Sequence, residues 1–351
     1  MSDHGDAIDV GRIHHVDEFE AFAEQRLPAA TYGYVAGGAG SEGTVRHNRA
    51  SLDRLRLVPR VLRDMTEIST AATVLGSKIS HPLIVAPSAV QRLAHPDGEL
   101  ATARAARDAG LLMILSMNAS TTVEDVCATG VRCWMQLYFS LDLDHMGSIV
   151  ARAEAAGVEA LCVTVDHAGM PTRVRELHRP LEIPPEVTFV HLPVDPAKRG
   201  VNRALNWEHI DWLAAHTDLP IILKGVLHPA DAALAVEHGV SGIIVSNHGG
   251  RQLDGTVSAY DVLPAVLDAV GGRLEVFADG GIRSGTDLLK TLALGARAGL
   301  VGRPVWWALA AAGEAGVARM LGLVTEDFVA AMRLCGVVDT SRIGPDLLWR
   351  D

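Results

Sequence analysis

What most constrains the fold is a rhythm. From residue 81 onward, short aliphatic runs alternate with amphipathic stretches of helical period. The first four runs are PLIVAPSAV (82–90), LLMILSM (111–117), CWMQLY (133–138) and ALCVTVD (160–166). The second four are PIILKGV (220–226), GIIVSN (242–247), EVFADGG (275–281) and AGLVGRP (298–304). None alternates strictly, which is how a parallel strand buried on both faces reads. Between them lie helix-like segments such as ELATARAARDAG (99–110), DLDHMGSIVARAEAAG (142–157), PADAALAVEHG (229–239) and SGTDLLKTLALG (284–295), each closing on glycine. Eight strands, seven helices between them and one after the last give a (β/α)8 TIM barrel. A doubly wound open sheet is the alternative. It would normally open on a G-x-G-x-x-G turn, and the first turn here reads APSA (86–89).

Two segments fall outside that rhythm. Between the fourth and fifth runs stand Pro171, Pro180, Pro184, Pro185, Pro193 and Pro196, so an irregular lid loop is expected over about 167–206. Residues 1–80 precede the barrel as an N-terminal helical extension contributing to the site. In it HVDEFEAFAEQRLP (15–28) and AATYGYVAG (29–37) read as helices, and GGAGSEG (37–43) as a helix stop and loop. The barrel itself is placed at 81–345.

Composition removes several classes of function. The net charge is −11, from 42 acidic and 31 basic residues without any block of like charge, so neither nucleic acid nor an anionic membrane is an expected partner. The N-terminus, MSDHGDAIDVGRIHH, shows no secretory signal. No window nears 18 uninterrupted apolar residues, and the richest segment, 305–312, reads as a core helix. Cys127, Cys133, Cys162 and Cys335 stand singly. They fit reduced thiols in a cytoplasmic protein, with no disulfide frame and no metal site.

Chemistry in such a barrel sits at the C-terminal ends of the strands. Those ends carry Ser88, then Ser116 and Asn118, Gln136 and Tyr138, Thr164 and Asp166, and Lys224. The last three add Ser246, Asn247, His248 and Arg251, then Asp279 and Arg283, then Arg303. Any one of these suits a satisfied core polar group; all eight strands ending this way does not. DGGIRSG (279–285) and VGRP (301–304) put glycines and an arginine where this fold commonly binds phosphate, pointing to a phosphorylated substrate or cofactor. Lys224, mid-strand among aliphatic residues, needs a negative partner inside the barrel. His248 is the best candidate base, with Asp166 to orient it and Arg251 to fix a substrate carboxylate.

From about residue 18 to 345 the chain resembles the FMN-dependent (S)-2-hydroxy-acid oxidases and dehydrogenases, a family that includes glycolate, lactate and mandelate oxidases. The matching motifs are SNHGGRQLDG (246–255), LIVAPSAVQRLAHPDGE (83–99), WMQLY (134–138), LKG (223–225), ADGGIRSGTD (278–287) and VGRP (301–304). The resemblance implies FMN across the barrel mouth. Its ring would lie against Pro87, Ser88 and Ala89 and near Ser116, Gln136 and Thr164, with Ser246 and Asp279 in the same cofactor set. Its phosphate would sit between Gly281, Arg283, Gly302 and Arg303, and Lys224 would face the N1/C2 carbonyl edge. Tyr34 and Arg251, helped by Arg173, would hold the substrate carboxylate, and Tyr138 the 2-hydroxyl. His248, paired with Asp166, would take a proton as two electrons leave substrate C2. A homotetramer is the family's habit.

Two departures bear on substrate. Glycolate oxidase has a tryptophan where this chain has Asn118, so a larger or more polar side chain is expected to fit. The family's D-x-P-x-x-G-x-R reads DHAGMPTR (166–173), with Ala168 for the proline and Pro171 for the glycine, which changes the local path toward Arg173. The expected activity is oxidation of an aromatic, mandelate-like (S)-2-hydroxy acid, with O2 reduced to hydrogen peroxide. The alternatives are the same flavin barrel acting on an amine or a peptide-derived or cyclic group, and a dehydrogenase using another electron acceptor.

Overall fold

All eight aliphatic runs form strands. The computed structural model describes residues 8–349 apart from 194, 196–198 and 201. It opens with helices α1 (Glu18–Arg26), α2 (Ala29–Ala36) and α3 (Gly43–Arg54), then an antiparallel hairpin of β1 (Ala72–Val74) and β2 (Ser77–Ile79). The barrel follows as β3 (Leu83–Val85), β4 (Leu112–Ser116), β5 (Arg132–Leu137), β6 (Ala160–Thr164), β7 (Ile221–Val226), β8 (Gly242–Val245), β9 (Glu275–Ala278) and β10 (Gly299–Val301). Each strand pairs in parallel with the next, and β10 closes on β3 with Gly299, Leu300 and Val301 opposite Leu83, Ile84 and Val85.

The helices around the barrel and its mouth are α4 (Gly98–Asp108), α5 (Val123–Ala128), α6 (Leu143–Ala155), α7 (Val174–His178), α8 (Trp207–Ala214), α9 (Pro229–Glu237), α10 (Ala259–Val270), α11 (Gly285–Ala293) and α12 (Arg303–Leu334). Among its described residues the lid segment holds helix α7 and irregular backbone; Pro196 lies outside the described residues. Among the described residues α12 is the helix long and apolar enough to cross a membrane. It breaks at Ala312 and Gly313, where φ turns to +58° and a Cβ would come 2.7 Å from His95 Nε2. Its Val305, Trp306, Trp307 and Leu309 are buried in the cluster between strands and helices, which accounts for their hydrophobicity.

Inside the barrel, Ile84, Leu112, Ile114, Trp134, Ile222, Ile244 and Phe277 fill the lumen. Trp134 and Phe277 meet edge to face at 5.6 Å. Val74 and Ile79 of the hairpin belong to the same cluster, so the hairpin plugs the N-terminal end of the barrel. Glu275, at the start of β9, accepts the Leu75 amide at 3.0 Å; Glu159, just before β6, accepts Ser77 Oγ at 2.5 Å. Arg297 donates to the Thr73 carbonyl at 2.6 Å. The extension is therefore not purely helical, as its sequence had suggested: two three-residue strands are too short to leave a period.

Candidate active site

The open end of the barrel holds a cleft of about 350 Å³. After β8 the backbone runs left-handed through His248, Gly249 and Gly250, with φ of +59°, +62° and +76°. Glycine suits the latter two because a Cβ on Gly250 would lie 2.8 Å from the Val45 amide nitrogen, and one on Gly249 3.2 Å from Arg303 Nη1. This turn aims His248 into the cleft. Its Nδ1 lies 2.9 Å from Asp166 Oδ1, and its amide donates to Ser246 Oγ at 3.0 Å. With Nδ1–H donated to the carboxylate, Nε2 keeps its lone pair. Burial alone would raise the Asp166 carboxyl, but His248 and then Lys224 outweigh it and hold it below the usual carboxylate range. Gly225 makes this approach possible: a Cβ there would lie 2.5 Å from Asp166 Cβ.

Lys224 points inward and is buried. Burial alone would lower its ammonium, but Asp279 and Asp166 raise it, so it stays charged. Its Nζ lies 3.0 Å from Asp279 Oδ2 and donates to Ser246 Oγ at 3.0 Å. The negative partner its position required is thus in part the protein's own. A relay crosses the neighbouring strand ends, Ser116 Oγ donating to Gln136 Oε1 at 3.1 Å and Gln136 Nε2 to Thr164 Oγ1 at 3.0 Å. Pro87, Ser88, Ala89 and Asn118 complete that wall.

Cations crowd the far side. Burial, then the Arg251 and Arg283 guanidinia, pull Arg303 down to about 9, and burial lowers Arg283 as well. Arg283 stacks on Trp307 at 4.6 Å and reaches Asp17 at 3.4 Å. Arg303 spends its donors on the carbonyls of Val35, Gly37 and Gly249. Beside them Gly280 and Gly281 adopt φ of +102° and +107°, and Gly302 lines the same corner. Asp279 Oδ1 is buried with no hydrogen-bond partner among the described residues.

Opposite His248, Arg251 donates to the carbonyls of Tyr34 (2.6 Å) and Gly37 (2.9 Å), its guanidinium 4.9 Å over the Tyr34 ring. Burial, followed by Asp166, raises the Tyr138 phenol, which stays a donor. Arg173 also reaches the cleft. The Gly40 amide donates to the Thr172 carbonyl at 2.8 Å, pinning the altered DHAGMPTR path against the N-terminal loop. Arg173 Nε then donates to the Arg251 carbonyl at 3.2 Å.

Nearly every residue singled out by sequence lines one cleft. Asp166 and Ser246 stand behind His248 and Lys224 as supports, and Asn247 turns away to accept from Asn48 of α3 at 2.9 Å. Sequence reasoning missed His167, Met170, Glu176, Gly280 and Trp306, which also line the cleft. His167 packs on Tyr138 at 5.2 Å, and its Nδ1 lies 2.5 Å from Gln252 Nε2. For Gly280, inside the DGG turn, a signal existed; the lid residues and Trp306 carry no periodicity or motif that marks them.

A closed parallel barrel whose strand ends combine a His–Asp pair, a buried lysine and a glycine–arginine corner defines a class of enzyme. The family profile of FMN-dependent dehydrogenases matches residues 23–350. The 4-hydroxymandelate oxidase of Amycolatopsis orientalis is 44% identical over 333 residues, spanning 91% of this chain and 93% of its own. Glycolate oxidase 1 of Oryza sativa subsp. indica is 43% identical over 359 residues, spanning 97% of each. A crystal structure of mandelate oxidase with benzoyl-formic acid superposes with a TM-score of 0.91 at 43% identity, covering 96% of this chain and 98% of that one. The chain belongs to the FMN-dependent 2-hydroxy-acid oxidase family.

The residues present fit FMN. Arg283 and Arg303 are both lowered by burial, Arg303 further by Arg251 and Arg283, so a phosphate beside Gly281 and Gly302 would offset positive charge withdrawn from water there. The unpartnered Asp279 Oδ1 needs a hydroxyl donor, which a ribityl chain carries. Lys224 stands where charge on the flavin ring would meet it.

Proposed function

We propose that the protein oxidises (S)-2-hydroxy acids with aromatic side chains, of the mandelate type, to 2-keto acids, with O2 reduced to hydrogen peroxide. The substrate carboxylate pairs with Arg251 and Arg173, capped by Tyr34, and its 2-hydroxyl hydrogen-bonds Tyr138. Two electrons and two protons must leave the substrate. FMN, when bound, supplies the two-electron acceptor. His248 Nε2 takes one proton as C2 is oxidised, and Asp166 stabilises the imidazolium that results. The second proton would leave with the electron pair toward the flavin, and both protons end in hydrogen peroxide. Ser246, bonded to both Lys224 and the His248 amide, couples base and lysine in one rigid unit.

The observation that carries the substrate reading is Asn118, a short half-buried side chain on the cleft wall. Its side chain takes up less of the cleft than an indole would. Relatives named for mandelate and 4-hydroxymandelate support the reading. Asn118→Trp tests it. The variant should lose about 10- to 100-fold in kcat/KM for (S)-mandelate relative to (S)-lactate. Equal losses for both acids would remove Asn118 as the selector, and a wild-type preference for lactate would remove the aromatic reading.

A further inference from the structure

Glu176 has no part in the chemistry above, yet it stands inside the cleft. Its Oε1 lies 3.1 Å from Arg173 Nη1 and 3.9 Å from Arg251 Nη2. Those are the two guanidinia assigned to the substrate carboxylate, and any role for Glu176 in binding rests on that assignment. The side chain is 24% exposed, so its charge is largely withdrawn from water. Among the described residues, Arg251's guanidinium otherwise meets the Tyr34 and Gly37 carbonyls and the Tyr34 ring, none of them a carboxylate.

We propose that Glu176 is an internal competitor for the carboxylate subsite. It neutralises Arg173 and Arg251 when no ligand is there, gives way to the substrate, and returns as product leaves. Two like charges in a partly buried cleft repel, and a carboxylate oxygen between them offsets the cost. An arriving carboxylate needs the same N–H faces for bidentate pairing and is repelled by the one already present. Substrate and 2-keto acid carry the same group, so Glu176 weakens both. That does nothing for the chemical step; its benefit is to release, which limits turnover in many enzymes.

The local structure permits the exchange. Glu176 sits in the five-residue helix α7, in which no residue is buried. Arg175 ties that helix to Glu42 at 2.6 and 2.8 Å, so Glu176 can swing by side-chain rotation while the backbone stays.

The test is a titration of the holoenzyme with oxalate, a small dicarboxylate probe, followed by the flavin absorbance. Glu176→Gln, which keeps shape and removes charge, should lower the oxalate Kd about fivefold or more. The KM for a 2-hydroxy acid should fall in parallel, and Glu176→Asp should return both toward wild type. An unchanged Kd in Glu176→Gln would overturn the proposal. A weaker one would too, making Glu176 a prop that positions the arginines. The two assignments fail separately. Arg251→Lys weakening oxalate while Glu176→Gln leaves it unchanged defeats only the competitor. Oxalate that perturbs neither wild type nor variant defeats the carboxylate subsite and the competitor together.

Discussion

His248 adopts a left-handed backbone conformation, φ +59°, that a residue with a side chain takes only at a cost. Asp166 and Ser246 hold it there, and the return is a ring whose free nitrogen faces the cleft. His248→Ala should retain the flavin yet slow its reduction by substrate about 10²- to 10⁴-fold, read by stopped-flow absorbance. An unaltered rate would remove His248 from the mechanism. Arg251 works differently, as a planar donor set. Arg251→Lys should raise KM about 10- to 100-fold, since an ammonium cannot reproduce the two parallel N–H bonds. A near-normal KM would place the carboxylate elsewhere. These side chains were legible in sequence because all eight aliphatic runs end on polar or charged groups, which a satisfied core polar group explains singly but not together. Glu176 was not: its meaning depends on two arginines, one of them 75 residues away in the chain (251 − 176).

The loop after β8 and helix α3 form one unit at the scale of elements. Asp254 accepts from the Thr44 amide at 2.8 Å and from the Ser41 amide and hydroxyl at 2.9 Å each. The Thr44 amide first, then Ser41, hold its carboxyl at about 2. A folded-state pKa below the unfolded value of about 3.9 means this stabilisation is complete above pH 4 or so and is lost as pH falls toward 2. Asp254→Asn should lower Tm by about 2–4 °C at neutral pH, with the gap closing in acid. A gap independent of pH would show that charge is not what matters there. Gly250→Ala, with its φ of +76° and a backbone nitrogen 2.8 Å from the new Cβ, should cost about 1–3 kcal/mol and loosen FMN. Barrel strands and their helices were readable because long buried runs leave a strong apolar signal. Helix α3 (GTVRHNRASLDR), helix α7 and the plugging hairpin were not: they are short or mixed in polarity, and packing, not local pattern, holds them.

For the whole molecule, the division is between a dry lower barrel and a charged upper mouth. Trp134 and Phe277 sit fully buried below the cleft, so Phe277→Ala should cost about 3–5 kcal/mol in stability while activity per bound flavin stays near normal. A selective loss of activity would mean the lumen positions the mouth. The chemistry belongs to the mouth, and flavin colour reads it directly. Under anaerobic conditions, (S)-mandelate added to the flavin-loaded protein should bleach the flavin absorbance faster than (S)-lactate does. Admitting air should restore it. A flavin that stays oxidised with both acids would contradict the assignment of His248, Arg251 and Tyr138 to a 2-hydroxy acid.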